Sequence, residues 1–572
     1  DGVFAQPMEA KYRFLLVVVA LWINCVPTNS IRVPIHPIED ASSKNPRVMY
    51  IPLDERFTTR DAFINLAKAT PFDVLTPPMS MLSHMKESAD LETLDEWIAD
   101  TMDSGVDYVV ISVELYLYGG LISSRCSNDS YDAIEKRVDT LINFKLLFPN
   151  VKIFLATVIM RIPSYNEDVE EPWYWEYYGS NLFTYSYYLD KYNLEGNSSD
   201  LDTANQAVST VPEDIVNEFL WRRGYEAIES LTFTERNHNI TVFLLEKQSE
   251  FAELVGTNLF ESILITQDDN AEYGLNINEA RELHLMVESD PNLASRVKIY
   301  PGADEVGLTM LGAMSVDYTG KSPKFQVIYR DEATKEYIPN YEGQPMSETV
   351  QDQIAAAGGT ITESEKETDI YFLVNNFSTE TQVEAPYQPL SGSVMDYYGF
   401  NSYVYSAVQQ SRVVGFADSK YSNGGDAFFI QYIQERHNAV NLSMDSFAYA
   451  GWNTDGNTLG TVVANSIVLA LFPSKLHAYH NCYFNSLRIL EDYYYQALAR
   501  QQLINYIYQV GDDINDLSSD LLFYRRYMYK ILSRNYEDIK AAYNLSFELH
   551  DVYFPWNRTF EIGFNEPQYT LV

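Results

Sequence analysis

Basic residues are scarce in this chain of 572 residues: 40 Lys and Arg stand against 80 Asp and Glu, a formal charge of -40. Such a chain repels a phosphate backbone, which excludes nucleic acid as a partner and disfavours an anionic membrane surface. The acids are spread along the sequence rather than gathered in a tail, the pattern of a solvated surface. Cysteine is scarcer still, with Cys25, Cys126 and Cys482 alone, so no disulfide framework holds the fold. There is no GxSxG elbow, no P-loop, no dinucleotide fingerprint and no HExxH. His477 and His480 stand by themselves on a predicted helix and read as structural rather than as a zinc site.

Long apolar runs are also missing, apart from one near the start. Met8 is followed by Lys11 and Arg13, then by an apolar stretch from Phe14 to Ile23, then by Pro27, Thr28, Asn29 and Ser30. That order is the layout of a secretory signal peptide, and the stretch is too short to span a bilayer. Residues 1–30 are therefore expected to be leader and signal peptide, with an N-terminal anchor as the competing reading. Cys25 would leave with them, and Cys126 and Cys482 could form one bridge if the fold brings them together. Asn-X-Ser/Thr triplets at Asn128, Asn197, Asn239, Asn376, Asn441, Asn544 and Asn557 are glycan acceptors in a eukaryotic secretory pathway. The expected compartment is extracellular, with no membrane span in the mature chain.

What is present from Arg47 onward is a succession of short apolar runs, each followed by a helical stretch, the signature of βαβ units and a parallel sheet. Predicted strands are Val48–Leu53, Phe72–Thr76, Tyr108–Val113, Lys152–Met160, Ser262–Gln267 and Val297–Tyr300. Residues 172–254, rich in Tyr and Trp, read as a helical insertion that forms either a wall over a cleft or a packing layer. A second set, Phe325–Tyr329, Asp369–Val374, Val413–Ala417 and Phe447–Ala450, follows the linker-like Lys321, Ser322 and Pro323. The predicted fold is thus α/β: a parallel-sheet domain over 31–319 with its helical insertion, a second, smaller α/β domain over 320–475, and a helical C-terminal segment over 476–572. One large barrel with insertions is the competing parse. In the C-terminal segment Leu487, Leu490, Tyr494 and Leu498 are predicted to share a helix face. No internal repeat at a fixed period appears.

Parallel sheets bind ligands at the carboxyl ends of their strands, so the residues just after each strand carry the chemistry. These are Asp54, Glu55 and Arg56; Glu114, Tyr116, Tyr118 and Arg125; Arg161; Asp268 and Asp269; Asp304 and Glu305. The second set gives Asp418, Asn423 and Asp426, then Trp452, Asn453, Asp455 and Asn457. Any one of these acids could merely cap a helix. As a group with three arginines they form a mixed-charge cluster that capping does not require. Such a cluster can divide into general acid and base or nucleophile, as in glycoside hydrolases. It can hold Ca²⁺ or Mg²⁺. Its arginines can clamp an anionic sugar. Tyr116, Tyr118, Trp173, Trp175 and Trp452 are candidate sugar-stacking rings.

Several longer motifs then come into view. The stretch from Tyr50 to Arg56, Ser112-Val113-Glu114 running on to Tyr118-Gly119-Gly120 and Arg125, and Thr266-Gln267-Asp268-Asp269 with Tyr273-Gly274 resemble the family catalogued as domain of unknown function 4127. So do Gly302-Ala303-Asp304-Glu305, Asn423-Gly424-Gly425-Asp426, Ala448 to Gly460, and Pro555-Trp556-Asn557-Arg558 with Phe560-Glu561. The resemblance covers nearly the whole chain after the leader and implies a shared fold and site, without an activity. Glu114 stands where the family pattern has Asp, which moves the carboxyl about one methylene outward.

These residues lead to an expectation of a secreted hydrolase directed at glycan. Asp268, Asp269, Asp304 and Glu305 are its acid/base candidates, and Asp54 and Glu114 assist or hold metal. Arg56, Arg125 and Arg161 orient substrate, and Asn423, Asp426, Trp452, Asn453, Asp455 and Asn457 line the pocket from the second domain. The competing expectations are a non-catalytic extracellular glycoprotein of a surface layer or filament, with homo-oligomers or polymers, and a carbohydrate- or cation-binding protein.

Overall fold

The computed structural model describes residues 45–223, 236–379 and 381–565. The expected leader and signal peptide, with Cys25, lie outside the described residues. From Pro46 onward, the apolar runs of the first set become a six-stranded parallel sheet: β1 (Arg47–Ile51), β2 (Asp73–Leu75), β3 (Tyr108–Ser112), β4 (Lys152–Ile159), β5 (Ser262–Gln267) and β6 (Val297–Pro301). The order is β2-β1-β3-β4-β5-β6. Apolar residues meet across it, Ile111 beside Leu155 and Ile265 beside Ile299. All five residues of β3 are buried, as expected where helices cover both faces of a parallel sheet.

The second set forms another parallel sheet, from β7 (Lys324–Tyr329), β8 (Thr360–Ile361), β9 (Ile370–Val374), β11 (Val413–Ala417) and β13 (Phe447–Ala450), in the order β13-β11-β9-β7-β8. Two further strands, β10 (Val383–Glu384) and β12 (Tyr421–Ser422), pair with each other as a short ribbon. Each sheet places its first strand inside, its second at the edge beside it, and its later strands in succession on the other side. One topology is therefore used twice, and both sheets are open rather than closed into a barrel. In each, the strand order reverses beside the first strand, where open α/β sheets leave a crevice at the carboxyl edge.

Two helices that are apolar on nearly every side hold the sheets together. Val306–Thr319 follows β6 and packs on β3, β4 and β5, while Asp455–Leu471 follows β13 and packs on β13 and β11; the two helices also pack against each other. A helix with no polar face is stable only where it is buried all round, and these two are buried along all but their last turns. Gly312 lets the first of them lie close to Ala357, because a Cβ there would stand 3.2 Å from the Ala357 Cβ. Their N-termini lie together: Asn457 Oδ1 accepts from the backbone N–H groups of Asp304 (3.0 Å) and Glu305 (3.4 Å). The carboxyl edges of both sheets are thereby brought side by side.

The insertion between β4 and β5 is helical, with Trp175–Glu195, Ser198–Val208, Glu213–Arg223 and Asn237–Val255. The C-terminal region is helical too, but Ile489–Ala499 is a π-helix. Hydrogen bonds from i to i+5 bring a residue back to the same face one place later than in an α-helix. Tyr495 and Ala499 are consequently buried, whereas Leu498, predicted on the buried face with Leu490, is 39% exposed. A final hairpin, β14 (Val552–Tyr553) and β15 (Gly563–Phe564), brings the segment between its strands back to the first sheet. Cys126 and Cys482 are both free thiols, so the bridge they could have made is not formed. No helix among the described residues is long and apolar enough to cross a membrane.

Candidate active site

After β1 the chain turns at Asp54, Glu55 and Arg56 into the helical segment Phe57–Asp61. Asp54 fixes the turn: its Oδ1 accepts from the Arg56 backbone N–H (2.9 Å) and the Thr59 hydroxyl (2.6 Å), and its Oδ2 from the Arg56 guanidinium at 2.8 and 3.0 Å. Arg56 then reaches the end of β6, where its two terminal nitrogens donate to the two oxygens of Asp304 at 2.5 and 3.1 Å. This fork-to-fork geometry is what a planar guanidinium provides and an ammonium does not. A third acid, Glu561, accepts from Arg56 at 3.2 Å.

Glu561 belongs to the segment between β14 and β15, which lies as a strap across the carboxyl edge. Trp556 and Asn557 hold it in left-handed conformations, φ 55° and 50°, which is costly for a tryptophan and persists only where packing imposes it. The packing is visible: the Arg56 and Arg558 guanidinium carbons lie 4.4 and 4.7 Å from the Trp556 ring centroid, and the indole N–H donates to Glu55. Arg558 donates to Glu561 at 2.5 and 2.8 Å and also to Glu170.

Glu170 carries the network to β4 and β5. It accepts from Arg125 (3.2 Å) and Arg161 (2.9 Å), and Glu171 accepts from the same two arginines at 3.1 and 2.8 Å. Arg125 continues to Asp268 at 2.6 Å and Arg161 to Asp269 at 2.5 Å. Burial decreases along this path. The Asp54 and Asp304 side chains are 1% and 6% exposed, whereas those of Asp268 and Asp269 are 14% and 26% exposed. Tyr165 and Tyr341, both exposed, stand at this end. The Tyr165 hydroxyl accepts from Arg161 at 3.1 Å, and the Tyr341 carbonyl accepts from the Asn270 backbone N–H at 2.7 Å. Asp269 (φ 35°) and Tyr341 (φ 67°) are both left-handed, so backbone strain is stored at the solvent-reaching end as well.

The electrostatics separate these acids. Burial raises the Asp269 carboxyl to about 6, with Asp268 adding to the rise and Arg161 opposing it. Burial also raises Asp304 to about 7, against the pull of Arg56 and with the push of Asp54 and Asp268. Arg56 itself is held charged despite burial because Asp304, Asp54 and Glu561 surround it; it has three partners where Asp304 has one. Glu170 goes the other way: burial works against its charge, but Arg558, Arg161 and Arg125 hold it well below the usual carboxylate range.

Six of the expected site residues, Asp54, Arg56, Arg125, Arg161, Asp268 and Asp269, thus join Asp304 in one connected network, together with Glu170, Glu171, Arg558 and Glu561. Glu305 is kept out. It is fully buried beneath Gly302 and Gly460 and accepts from Gln353 (2.7 Å) and the Ala303 N–H (2.9 Å). Burial lifts it to about 7. Glu114 is kept out as well: its acceptors are taken by Val158 N–H (2.7 Å), Ser112 (2.7 Å) and Thr157 (3.1 Å), which tie β3 to β4.

From the second sheet only Asn457 reaches the network, through the backbone of Asp304. Asp426 caps the helix Ala427–Val440 and pairs with Lys420 at 2.8 Å, and Asn423 donates its N–H to the Asn453 carbonyl. Asp455 is buried, held by Gln382 at 3.1 and 3.3 Å, and Trp452 is a core residue whose indole donates to Thr461. Tyr116, Tyr118 and Trp175 are likewise core, the first two packed against the first sheet and Trp175 among the helices of the insertion; Trp173 alone of the five expected rings is exposed, at 59%. The arginines expected to clamp substrate are already forked onto carboxylates. Among the described residues no group of three or more His, Cys, Asp or Glu is placed to hold a metal ion.

Of the glycan acceptors, Asn128, Asn197, Asn441 and Asn544 are exposed and Asn239 and Asn557 half-buried. Asn376 is fully buried and its amide donates to the Asp331 carbonyl (2.9 Å) and Thr334 (3.0 Å), so it cannot carry a glycan in this fold.

Strand-end reasoning missed Glu170, Glu171, Arg558 and Glu561. The first two follow β4 by more than ten residues, and the strap is some 500 residues from its Arg56 partner; the Trp556 to Glu561 motif was the one available sign. No curated protein and no solved structure matches the chain. A family model described as "Protein of unknown function (DUF4127)" matches residues 48–565, nearly the full length, and the chain belongs to that family.

Proposed function

We propose that this protein is a secreted hydrolase directed at glycans, with its chemistry at the solvent-reaching end of the strand-end network. Asp269 serves as the proton-transferring carboxyl and Asp268, paired with Arg125, as the ionised partner. The observation that carries the reading is that these two acids stand at the end of the network where burial is relieved, with exposed Tyr165 bonded to Arg161 and exposed Tyr341 joined through its carbonyl to Asn270. A carboxyl raised to about 6 can both give and take a proton near neutrality, and a pair of carboxyls is what glycoside cleavage uses. Asp54, Asp304, Arg56, Glu561 and Arg558 are the frame that fixes the arginines. The leader-like start of the sequence and the exposed Asn128, Asn197, Asn441 and Asn544 support secretion and glycosylation.

The experiment is reducing-end release from a panel of oligosaccharides by the wild type and by Asp268→Asn and Asp269→Asn. Each variant is expected to lose at least about 100-fold in rate, the scale of one acid/base group, while melting near the wild type. Full activity in the double variant would remove the reading. A second reading, a non-catalytic extracellular glycoprotein, is favoured by the pairing of all four arginines with carboxylates of the protein itself. Absence of cleavage across the panel, with the chain recovered as a regular polymer, would select it.

A further inference from the structure

The motif Asn423-Gly424-Gly425-Asp426 takes no part in the strand-end network; it builds a groove between two helices. Gly424, at φ 142°, lies against the π-helix Ile489–Ala499, where a Cβ would stand 2.8 Å from the Ala385 Cβ and 3.1 Å from the Asp492 carbonyl oxygen, which leaves the position to glycine. The Gly425 N–H donates to the same carbonyl at 2.9 Å, and Asp426 then caps the helix Ala427–Val440. Gln388 latches the corner: its amide donates to the Gly425 carbonyl at 3.1 Å and accepts from the Ala427 N–H at 3.0 Å. Between the two helices lies a cavity of about 290 Å³, lined chiefly by Phe428, Ile430, Gln431, Gln434, Tyr493 and Tyr494. That size is at the lower end of small-molecule sites.

Three of these six residues are aromatic, and none is ionised, although the chain carries a formal charge of -40. Three polar ends are unclaimed. Among the described residues neither the Tyr493 nor the Tyr494 hydroxyl makes a hydrogen bond, and nor does the Gln434 side-chain amide. The π-helix sets the two tyrosines there: its wider turn leaves less rotation between consecutive residues than an α-helix does, so both neighbours reach one groove, their ring centroids 4.9 Å apart. A charged ligand would find no counter-ion in this lining. A purely apolar one would cover two hydroxyls and an amide without replacing the water that serves them, which costs free energy. An extended peptide would find no strand edge, because both walls are helices. A neutral sugar has what the lining lacks, C–H faces for the rings and hydroxyls for the phenol and amide ends. We propose that this groove is a second carbohydrate site, which holds an uncharged, hydroxyl-rich unit of a glycan without acting on it. Binding here requires nothing of Asp268 or Asp269.

Calorimetric titration of the whole protein with hexasaccharides of glucose, mannose and N-acetylglucosamine tests this, run also in the Asp268→Asn/Asp269→Asn double variant so that cleavage does not interfere. At least one of the three should bind in both proteins, with an affinity unchanged between low and physiological salt, since no ion pair is there to be screened. Tyr494→Ala and Gln434→Ala should each weaken that binding at least about tenfold. The Gln434 side chain bonds to nothing in the fold, so its variant reads the groove even if Tyr494→Ala melts early. Absence of binding by all three sugars, an affinity that falls as salt rises, or full binding retained in both groove variants overturns the inference. Groove-dependent binding without cleavage of any glycan leaves this site standing while the hydrolase reading falls. Cleavage with no groove-dependent binding does the reverse.

Discussion

Arg56 shows what a single side chain does in this site: it is buried, forked onto Asp304, chelated by Asp54, touched by Glu561 and stacked on Trp556. Replacing it with methionine leaves buried Asp54 and Asp304 without their cation, while Glu561 keeps Arg558, and the expected loss is about 3–5 kcal/mol in a urea denaturation series. Arg56→Lys should also destabilise, because an ammonium neither forks onto Asp304 nor lies flat on the indole. The raised acids make a separate statement about pH. Burial, their first cause, puts Asp269 at about 6, Asp304, Glu305 and Glu55 at about 7 and Glu342 at about 8, whereas unfolded carboxyls titrate near 4. In that window the folded state holds protons that the unfolded state has released, so stability falls as pH rises. Glu170, depressed by its arginines, contributes stability that is lost only in acid. Tm should therefore decline between pH 5 and pH 8, and a Tm that climbs across that range would contradict the burial of these acids. At this scale the sequence was a fair guide to which residue types gather, since a strand end followed by Asp or Arg is visible without coordinates. It was a poor guide to which neighbours saturate them, because Glu170 and Glu561 come from segments with no strand periodicity.

The strap between β14 and β15 has its consequence at the level of an element. Two consecutive left-handed residues set its path, and the second, Asn557, is of a type that tolerates this conformation. In protein made without glycosylation, Asn557→Ala should cost about 1 kcal/mol and Asn557→Gly close to nothing, by chemical denaturation. Equal effects of the two substitutions would mean that φ at this position is not what the strap depends on. Elements with strong periodicity were legible beforehand: β5, β11 and β13 fall on the predicted residues. The π-helix Ile489–Ala499 was not, because its apolar positions read equally well at the α-helical spacing, and only the buried Tyr495 and the exposed Leu498 reveal the wider turn.

For the whole molecule, two sheets of one topology set back to back through the helices Val306–Thr319 and Asp455–Leu471 bring two carboxyl edges together, and the first edge gathers the charges. That repetition was hidden from the sequence, since equal strand order does not require equal spacing between strands. With a formal charge of -40, the folded chain also repels itself. Raising sodium chloride from about 10 mM to about 150 mM, which shortens the Debye length from about 30 to about 8 Å, should raise Tm; a fall would mean that surface ion pairs outweigh that repulsion. The most direct test of the central claim is the pH dependence of glycan cleavage. If Asp269 delivers the proton, the wild-type rate falls above about pH 6, where that carboxyl ionises, and the fall is missing from whatever activity Asp269→Asn retains. The same descending limb in that variant, or a rate indifferent to pH between 5 and 8, would contradict the claim that chemistry resides at the open end of the strand-end network.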